Sequence, residues 1–249
     1  MSLLYERIDR VLNNRLQKGT KRELNVELQK FHQTLVDFSS NDYLSLSSNA
    51  NIKDNIKDLI NAGDYVLGSK GSRLLDGNDT QHSLLENQLK KFYNDGQSSA
   101  LLFNSGFDAN YSIFSTLADR NDYIIFDEFI HASVHDGMRA SRTRNIKSFK
   151  HSDIYHFKEI LNEILVKGEN VSVFIAVESV YSMDGDVCPL KELVDIIKHY
   201  QNVHLIVDEA HSTGIVGKNG RGLCYYLGIE KEVLIRLHTF GKALCSAGG

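Results

Sequence analysis

Short apolar runs alternate with amphipathic stretches along most of this chain. Residues 123–126, 171–177 and 203–207 are predicted to be strands, and the run at 171–177 is apolar at almost every position, which is typical of a strand buried on both faces. Between them, apolar residues recur three and four positions apart, as in residues 190–197, and this spacing predicts helices. The alternation predicts right-handed βαβ units and an α/β fold with a mostly parallel sheet flanked by helices.

The same patterns assign the remaining elements. Further strands are predicted at residues 100–103, 146–149 and 233–237. Further helices are predicted at residues 3–17, 80–93, 136–141 and 153–165, with another ending at Leu117. We expect an N-terminal helix and arm over residues 1–45 and a large domain over residues 46–249.

An acid and a lysine follow two of the predicted strands. Asp208 and His211 come directly after the run at 203–207, and Lys242 lies in a small-residue loop after residues 233–237. A lysine amine forms a Schiff base with the aldehyde of pyridoxal 5'-phosphate, and a carboxylate keeps the pyridine nitrogen protonated so that the ring accepts electrons. The Asp-Glu-Ala-His sequence is also similar to an acid motif of nucleotide hydrolases, which leaves a second interpretation open at this point.

Two further segments suit a phosphorylated ligand at the same edge of the sheet. The small-residue turn before the helix ending at Leu117 would present free N–H groups at Gly106 and Phe107 to an anion, although an ordinary strand-to-helix turn has the same sequence features. His131 lies just past the strand at 123–126, where open α/β sheets bind ligands, although a structural histidine is the common alternative. The glycine-rich loop at 68–77 lacks the Walker A pattern, which disfavours nucleotide hydrolysis.

Composition narrows the class of protein and its setting. The net charge of −4 over 249 residues gives no basic surface for nucleic acid, and no apolar run reaches the length of a membrane span. The three cysteines are too few and too scattered for a disulfide framework or a zinc site, which favours reduced thiols. Glu6 and Asp9 disfavour a mitochondrial presequence, because such segments are poor in acids. We therefore expect a cytoplasmic protein.

Several motifs occur in an order and spacing that match one family. They are Asn41-Asp-Tyr-Leu44, Gly68-Ser-Lys-Gly-Ser-Arg73, Ser105-Gly-Phe107, His131-Ala-Ser133, Ser182-Met-Asp-Gly-Asp186, Asp208-Glu-Ala-His211, Gly220-Arg-Gly222 and Thr239-Phe-Gly-Lys-Ala243. The chain resembles the α-oxoamine synthases, pyridoxal-phosphate enzymes of fold type I. The resemblance extends from about residue 3 to the end of the chain.

The resemblance implies a role for each residue of the expected site. Lys242 would be the Schiff-base lysine and the base that moves the Cα proton, Asp208 the partner of the pyridinium, and His131 the residue stacked on the ring. The implied cofactor-binding residues are Gly106, Phe107, His131, Ser182, Asp208, His211, Thr239 and Lys242. Arg22 would contact the substrate, and no metal is expected.

The resemblance also implies a reaction. The chain's motifs look most like those of the family members that condense L-alanine with pimeloyl-CoA, or a pimeloyl carrier protein. That reaction gives 8-amino-7-oxononanoate, CoA and CO2 in biotin synthesis. Synthases of the glycine C-acetyltransferase or serine palmitoyltransferase type, or an inactive truncated homologue, are the alternatives. A homodimer acting on small molecules is implied. Family members continue past the position of Gly249 into a small C-terminal domain, so the chain is expected to be a truncated form.

Overall fold

The computed structural model describes residues 2–24, 36–63, 68–93, 98–166 and 171–249. It contains two units, Met1–Ser40 and Asn41–Gly249. The first unit includes helix α1 (Leu3–Gln17), which the spacing of its apolar residues predicted. The division into 1–45 and 46–249 stays a prediction. No helix in the described ranges is long and apolar enough to cross a membrane.

One parallel sheet lies at the centre of the second unit. Its strands are β1 (Tyr123–Asp127), β2 (Asn145–Phe149), β3 (Val173–Glu178), β4 (Val203–Asp208) and β5 (Val233–Leu237). All neighbouring pairs in the order β2-β1-β3-β4-β5 are parallel, which confirms the predicted α/β fold. Consequently the carboxyl ends of all these strands meet at one edge of the sheet.

Helices connect the strands and cover both faces of the sheet. In the second unit they are α2 (Ala50–Asn61), α3 (Thr80–Tyr93), α4 (Gly106–Thr116), α5 (Ala132–Ala140), α6 (Ile154–Leu165), α7 (Leu190–Ile197) and α8 (Leu223–Leu227). Helices α2 and α8 were not among the predicted elements. Helix α5 begins four residues earlier than predicted, because the His131 side chain caps it by accepting a hydrogen bond from Ser133 N at 3.2 Å.

The central strand β3 is buried on both sides. Val173, Ile175 and Val177 pack in one core with residues of α6 and α7. Phe174 and Ala176 point to the opposite face and pack in a second core with residues of α4 and α5. The near-continuous apolar run therefore reflects a strand covered by helices on both faces, as the sequence predicted.

The prediction of a strand at residues 100–103 is wrong. The segment pairs with Gly249 through the N–H and C=O of Phe103, at 2.8 and 3.1 Å, and forms no ladder in the described structure. A cavity of about 390 Å³ lies between this segment and β5. Because a strand needs a neighbour within hydrogen-bonding distance along its length, an apolar run beside a cavity does not become one.

The chain order reverses at the junction of β1 and β3. The connection from β1 leads outward to β2, and the next connection crosses back to place β3 on the other side of β1. In open α/β sheets, ligands bind outside the carboxyl ends of the strands at such a switch point. The fold therefore directs the search for a site to the ends of β1, β3 and β4.

Candidate active site

Asp208 is the last residue of β4 and its carboxylate is held on both oxygens. It is 7% exposed. Asn110 on α4 donates from Nδ2 to Oδ2 at 2.7 Å, and Ala210 N donates to Oδ1 at 2.9 Å. A buried carboxylate that accepts hydrogen bonds on both oxygens keeps a fixed orientation.

A hydrogen-bonded chain runs from Asp208 to His131. The same Asn110 amide also donates to Ser133 Oγ at 3.0 Å, and the Ser133 hydroxyl lies 2.7 Å from His131 Nδ1. Since Nδ1 also accepts the Ser133 N–H, this nitrogen is unprotonated and Ser133 O–H donates to it. Burial lowers the pKa of His131, and the charge of Lys242 acts in the same direction. The charge of Asp208 opposes them but is outweighed, so a neutral ring is favoured.

Lys242 lies at the centre of a second chain of polar contacts. Its Nζ is 2.7 Å from His211 Nε2, and His211 Nδ1 is 2.8 Å from the Tyr43 hydroxyl. Tyr43 in turn donates to Asn41 Oδ1 at 3.2 Å. Every group has a suitable partner if Lys242 donates to Nε2, Nδ1–H donates to the tyrosine oxygen, and Tyr43 donates to Asn41. The geometry gives the lysine proton a hydrogen-bonded route towards an exposed residue.

Burial shifts the pKa of both the lysine and the histidine in this second chain. Burial lowers the pKa of Lys242 from its usual 10.5, against the opposing charges of Asp208 and Glu178. Burial, followed by the Lys242 charge, lowers the pKa of His211 to about 4. A neutral histidine beside a lysine with a depressed pKa is an arrangement suited to a nucleophilic amine.

The N-terminus of α4 provides a candidate anion site. Ser105 caps the helix by accepting the Asp108 N–H at 3.0 Å, whereas the first helical amides, Gly106 and Phe107, have no acceptor within the helix. A Cβ added at Gly106 would lie 3.1 Å from Thr239 Cβ and 3.2 Å from Thr239 Oγ1. Glycine at this position therefore lets the Thr239 hydroxyl, which follows β5, stand close to the free amides.

Glu178, the last residue of β3, was not among the site residues predicted from the sequence. It is 2% exposed and is the register partner of Asp208 in the β3–β4 ladder. Burial, and secondly the Asp208 charge, raise its pKa to about 8. The side chain therefore holds a proton at neutral pH beside the candidate site.

The structure brings most of the sequence-predicted residues to one edge of the sheet. Those connected by the contacts above are Gly106, Phe107, His131, Asp208, His211, Thr239 and Lys242, with the Phe107 ring edge-on to His131 at 6.2 Å. Ser182 is exposed in the loop after β3. Arg22 belongs to the first unit, and its role at the substrate stays a prediction.

Sequence reasoning missed Asn110, Ser133, Tyr43 and Glu178. Asn110 carried a usable signal, since it is a polar residue one turn into a helix whose neighbours Ala109 and Phe114 are core residues. Buried polar groups of this kind require hydrogen-bond partners. The partner itself, Asp208, lies too far along the chain for spacing to reveal it.

Comparisons with known proteins give the family. The model of the aminotransferase class I and II family matches residues 33–249. An 8-amino-7-oxononanoate synthase from Emericella nidulans is 43% identical, over 98% of this chain and 60% of its own length. The aminoacyl transferase sphA of Byssochlamys spectabilis is 40% identical, over 86% of this chain and 47% of its own.

Solved structures agree with this likeness. A serine palmitoyltransferase from S. paucimobilis, described with a bound PLP–myriocin adduct, has a TM-score of 0.76 and 32% identity, covering 84% of this chain and 52% of that one. The 8-amino-7-oxononanoate synthase of Francisella tularensis has a TM-score of 0.70 and 34% identity, covering 87% and 57%. The chain thus spans about half to three fifths of the length of these relatives.

This chain belongs to the aminotransferase class I and II family, and within it to the α-oxoamine synthases that its motifs resembled. The structural likeness also confirms the predicted fold type I.

Proposed function

We propose that this protein forms the cofactor-binding part of a pyridoxal-phosphate-dependent acyltransferase of the 8-amino-7-oxononanoate synthase type. The observation that carries the proposal is the convergence of Lys242, Asp208 and His131 at the switch-point edge of the sheet. The 43% identity with a named synthase supports the same reading. The protein is expected to be cytoplasmic and to act as a homodimer on small molecules.

The residues present fit the cofactor. Lys242 would hold its aldehyde carbon, and Asp208 would hold a proton on the ring nitrogen. Gly106, Phe107 and Thr239 would bind the phosphate, where helix amides and a hydroxyl lie together. His131 would lie against the ring, while His211 and Ser182 would lie on the side of its hydroxyl. When bound, pyridoxal phosphate supplies an electron sink for a carbanion at the amino acid Cα.

The chain's own groups account for the proton transfers. Lys242 is the group placed to take the Cα proton of an amino acid and later to return it, and burial lowers the pKa of its amine. Asp208 cannot reorient, because Asn110 and Ala210 N hold both oxygens, and its charge therefore stays directed at one place. Glu178 adds a second carboxyl beside Asp208, and the Glu178 carboxyl carries a proton at neutral pH.

The proposed substrates are L-alanine and a pimeloyl thioester, giving 8-amino-7-oxononanoate, CO2 and the free thiol. The likeness to serine palmitoyltransferase structures supports a second candidate, in which L-serine and a long acyl thioester take these places. Both candidates use the same lysine and carboxylate, and they differ only in the amino acid and acyl chain accepted.

A half-reaction tests the proposal without the acyl substrate. The protein is incubated with pyridoxal phosphate and L-alanine, glycine or L-serine in D2O, and loss of the Cα–H signal is followed by proton NMR. We expect exchange fastest with L-alanine, and a loss of at least about 10²-fold in Lys242→Ala, because general-base catalysis contributes that much. Exchange fastest with L-serine would favour the second candidate, and equal exchange in Lys242→Ala would exclude the role of the lysine.

A coupled assay then identifies the acyl donor. Thiol release is measured with pimeloyl-CoA, acetyl-CoA and palmitoyl-CoA, and the product is identified by mass. Release with pimeloyl-CoA and L-alanine at the mass of 8-amino-7-oxononanoate is the expected result. Exchange of the Cα proton without thiol release from any donor would contradict the acyltransferase proposal for this chain while retaining the cofactor site.

A further inference from the structure

Three side chains outside the proposed cofactor contacts meet at the same edge of the sheet. His151 follows β2, Asp127 ends β1, and Asp186 lies in the loop after β3, so the group joins three neighbouring strand ends. His151 Nδ1 is 2.8 Å from Asp127 Oδ1, and Nε2 is 2.5 Å from Asp186 Oδ2. The imidazole thus bridges two carboxylates.

The protonation of this bridge follows from its partners. Asp127 is fully buried and already accepts the Phe129 N–H on Oδ1 and the Ser152 N–H on Oδ2, at 2.9 and 2.8 Å. A carboxylate surrounded by donors acts as an acceptor only, so Nδ1 carries a proton. Nε2 likewise faces a carboxylate oxygen, so a protonated ring donates to Asp127 and Asp186 at once.

Two aromatic side chains hold the His151 ring in place. It stacks on Phe129 with centroids 4.4 Å apart and meets Tyr181 edge-on at 4.4 Å. Burial by itself lowers the pKa of His151, but the hydrogen bonds to Asp127 and Asp186 outweigh it and raise the pKa above 6.5. The other titratable groups around the ring are Glu128, whose Oε1 accepts His151 N at 2.9 Å, Lys150 and Asp153 beside it in the chain, and the Cys188 thiol near Asp127 and Asp186.

The loop held by Asp186 is the loop that carries Ser182. We define the serine loop as residues 179–187. It closes on itself through Tyr181 N to Asp186 O and Gly185 N to Tyr181 O, both at 2.9 Å. Its base is tied to β4 by Ser179 N, which donates to Asp208 O at 2.8 Å. His151 supplies a further attachment through its contact with Asp186.

We propose that His151 is a positioning residue, which, by bridging Asp127 and Asp186, fixes the serine loop against the ends of β1 and β2 and thereby sets the position of Ser182 at the cofactor site. The inference rests on the proposed function for the role of Ser182. The attachment of the loop itself rests only on the contacts described above.

The first test measures the loop without any cofactor. Hydrogen exchange of the peptide covering residues 179–187 is compared in the wild type, His151→Gln and Asp186→Asn. The control is His199→Gln, which replaces an exposed histidine just after α7. We expect exchange about tenfold faster in both bridge variants, with β3 and β4 unchanged and the control like the wild type. Unchanged loop exchange in both variants would overturn the inference.

The pH dependence separates a charged bridge from ordinary packing. A raised histidine pKa gives stabilisation that is complete below 6.5 and is lost as pH rises through the folded-state pKa. The difference between wild type and His151→Gln in the protection of the serine loop against hydrogen exchange should therefore be largest at pH 6 and should shrink at alkaline pH. A difference that is constant with pH would show a packing role alone.

The second test connects the bridge to the cofactor. Affinity for pyridoxal phosphate is measured by absorbance titration for the same variants, and about tenfold weaker binding is expected in both bridge variants. Faster hydrogen exchange of the serine loop together with wild-type affinity for pyridoxal phosphate would refute the positioning of Ser182. A wild type that binds no cofactor would refute the proposed function, and the exchange measurement would still decide whether His151 fixes the loop.

Discussion

At the residue scale, Asn110 connects the two polar groups on which the proposed chemistry depends. One amide group donates to Asp208 Oδ2 and to Ser133 Oγ, and Ser133 donates to His131. Neither the aspartate nor the histidine is therefore oriented by its own strand or helix alone. The site has a supporting shell, which is what a preorganised charge requires.

Replacing this amide should destabilise the protein as well as the site. In Asn110→Ala, the buried Asp208 carboxylate loses a charged hydrogen bond, and we expect a loss of about 1.5–3 kcal/mol in the free energy of unfolding by urea. Asn162→Ala, at an exposed position of helix α6, is the matched control and should change it by less than about 0.5 kcal/mol. Equal losses in the two variants would show that the Asn110 contacts contribute nothing.

Tyr43 gives a prediction for the chemistry of the lysine. Without the hydroxyl, His211 Nδ1–H loses its acceptor, and the ring favours the tautomer with hydrogen on Nε2, which cannot accept from Lys242. In Tyr43→Phe we expect the rate of pyridoxal phosphate capture to require a higher pH than in the wild type, measured by stopped-flow absorbance. Tyr5→Phe, in α1, is the control, and an unchanged pH profile in Tyr43→Phe would show that the tyrosine does not set the tautomer.

The residues of the site were predictable where a motif places chemistry next to a strand end. Asp208, His131 and Lys242 each follow an apolar run, and the run alone indicates the sheet edge on which they meet. Asn110, Ser133 and Glu178 were missed because their meaning lies in contacts across the sheet, such as the 98 residues of chain that separate Asn110 from Asp208. Spacing along a chain does not report such contacts.

At the scale of elements, the turn before α8 depends on one glycine. Gly222 has φ of +100°, and a Cβ there would lie 2.5 Å from Glu209 Oε2. Glu209 is buried and accepts the Cys224 N–H at 2.8 Å, so it has little room to move. The glycine therefore permits both the backbone conformation and the cap of α8 by a carboxylate.

Gly222→Ala should cost at least about 2 kcal/mol in the free energy of unfolding, because strain at positive φ adds to a clash with a buried side chain. Gly228→Ala is a suitable control, because its φ is +69° and no atom lies within 4 Å of the added Cβ. The control should lose no more than about 1–2 kcal/mol. Thermal or urea unfolding distinguishes the two, and a smaller loss in Gly222→Ala than in the control would contradict this assignment.

The elements that were predicted well have a strong period or a fully apolar run. Strands β1, β3, β4 and β5 and helices α3, α6 and α7 belong to this class. Helix α2 was overlooked although Ile52, Ile56, Leu59 and Ile60 recur at helical spacing, and none of its residues is buried. The segment at 100–103 failed because its apolar residues border a cavity and not a neighbouring strand.

At the scale of the whole molecule, partly buried histidines should make the fold sensitive to acid. Burial, with a smaller effect of the Arg236 charge, lowers the pKa of His238 to about 3, and His211 titrates at about 4. Both rings are neutral in the folded protein, while the unfolded chain takes up protons below about 6.5. Stability is thus present above that value and is lost as the pH falls towards 3.

The sign of this effect is checked by urea unfolding between pH 4 and pH 8. The free energy of unfolding should fall more steeply below about pH 6.5 in the wild type than in His238→Gln, while the opposite contribution of Glu178, whose pKa is raised, is common to both proteins. His199→Gln, which replaces an exposed histidine, should keep the wild-type slope. A slope that is identical in all three proteins would show that His238 is not buried in its neutral form.

The central claim is that Lys242, beside Asp208, is the residue that takes up pyridoxal phosphate. The most direct measurement is to incubate the folded protein with pyridoxal phosphate, reduce it with borohydride, and locate the pyridoxyl group by peptide mass spectrometry. The account predicts a single adduct on Lys242 in the wild type and none in a folded Lys242→Ala variant. A folded wild type with no adduct, or with adducts spread equally over exposed lysines such as Lys218, would contradict it.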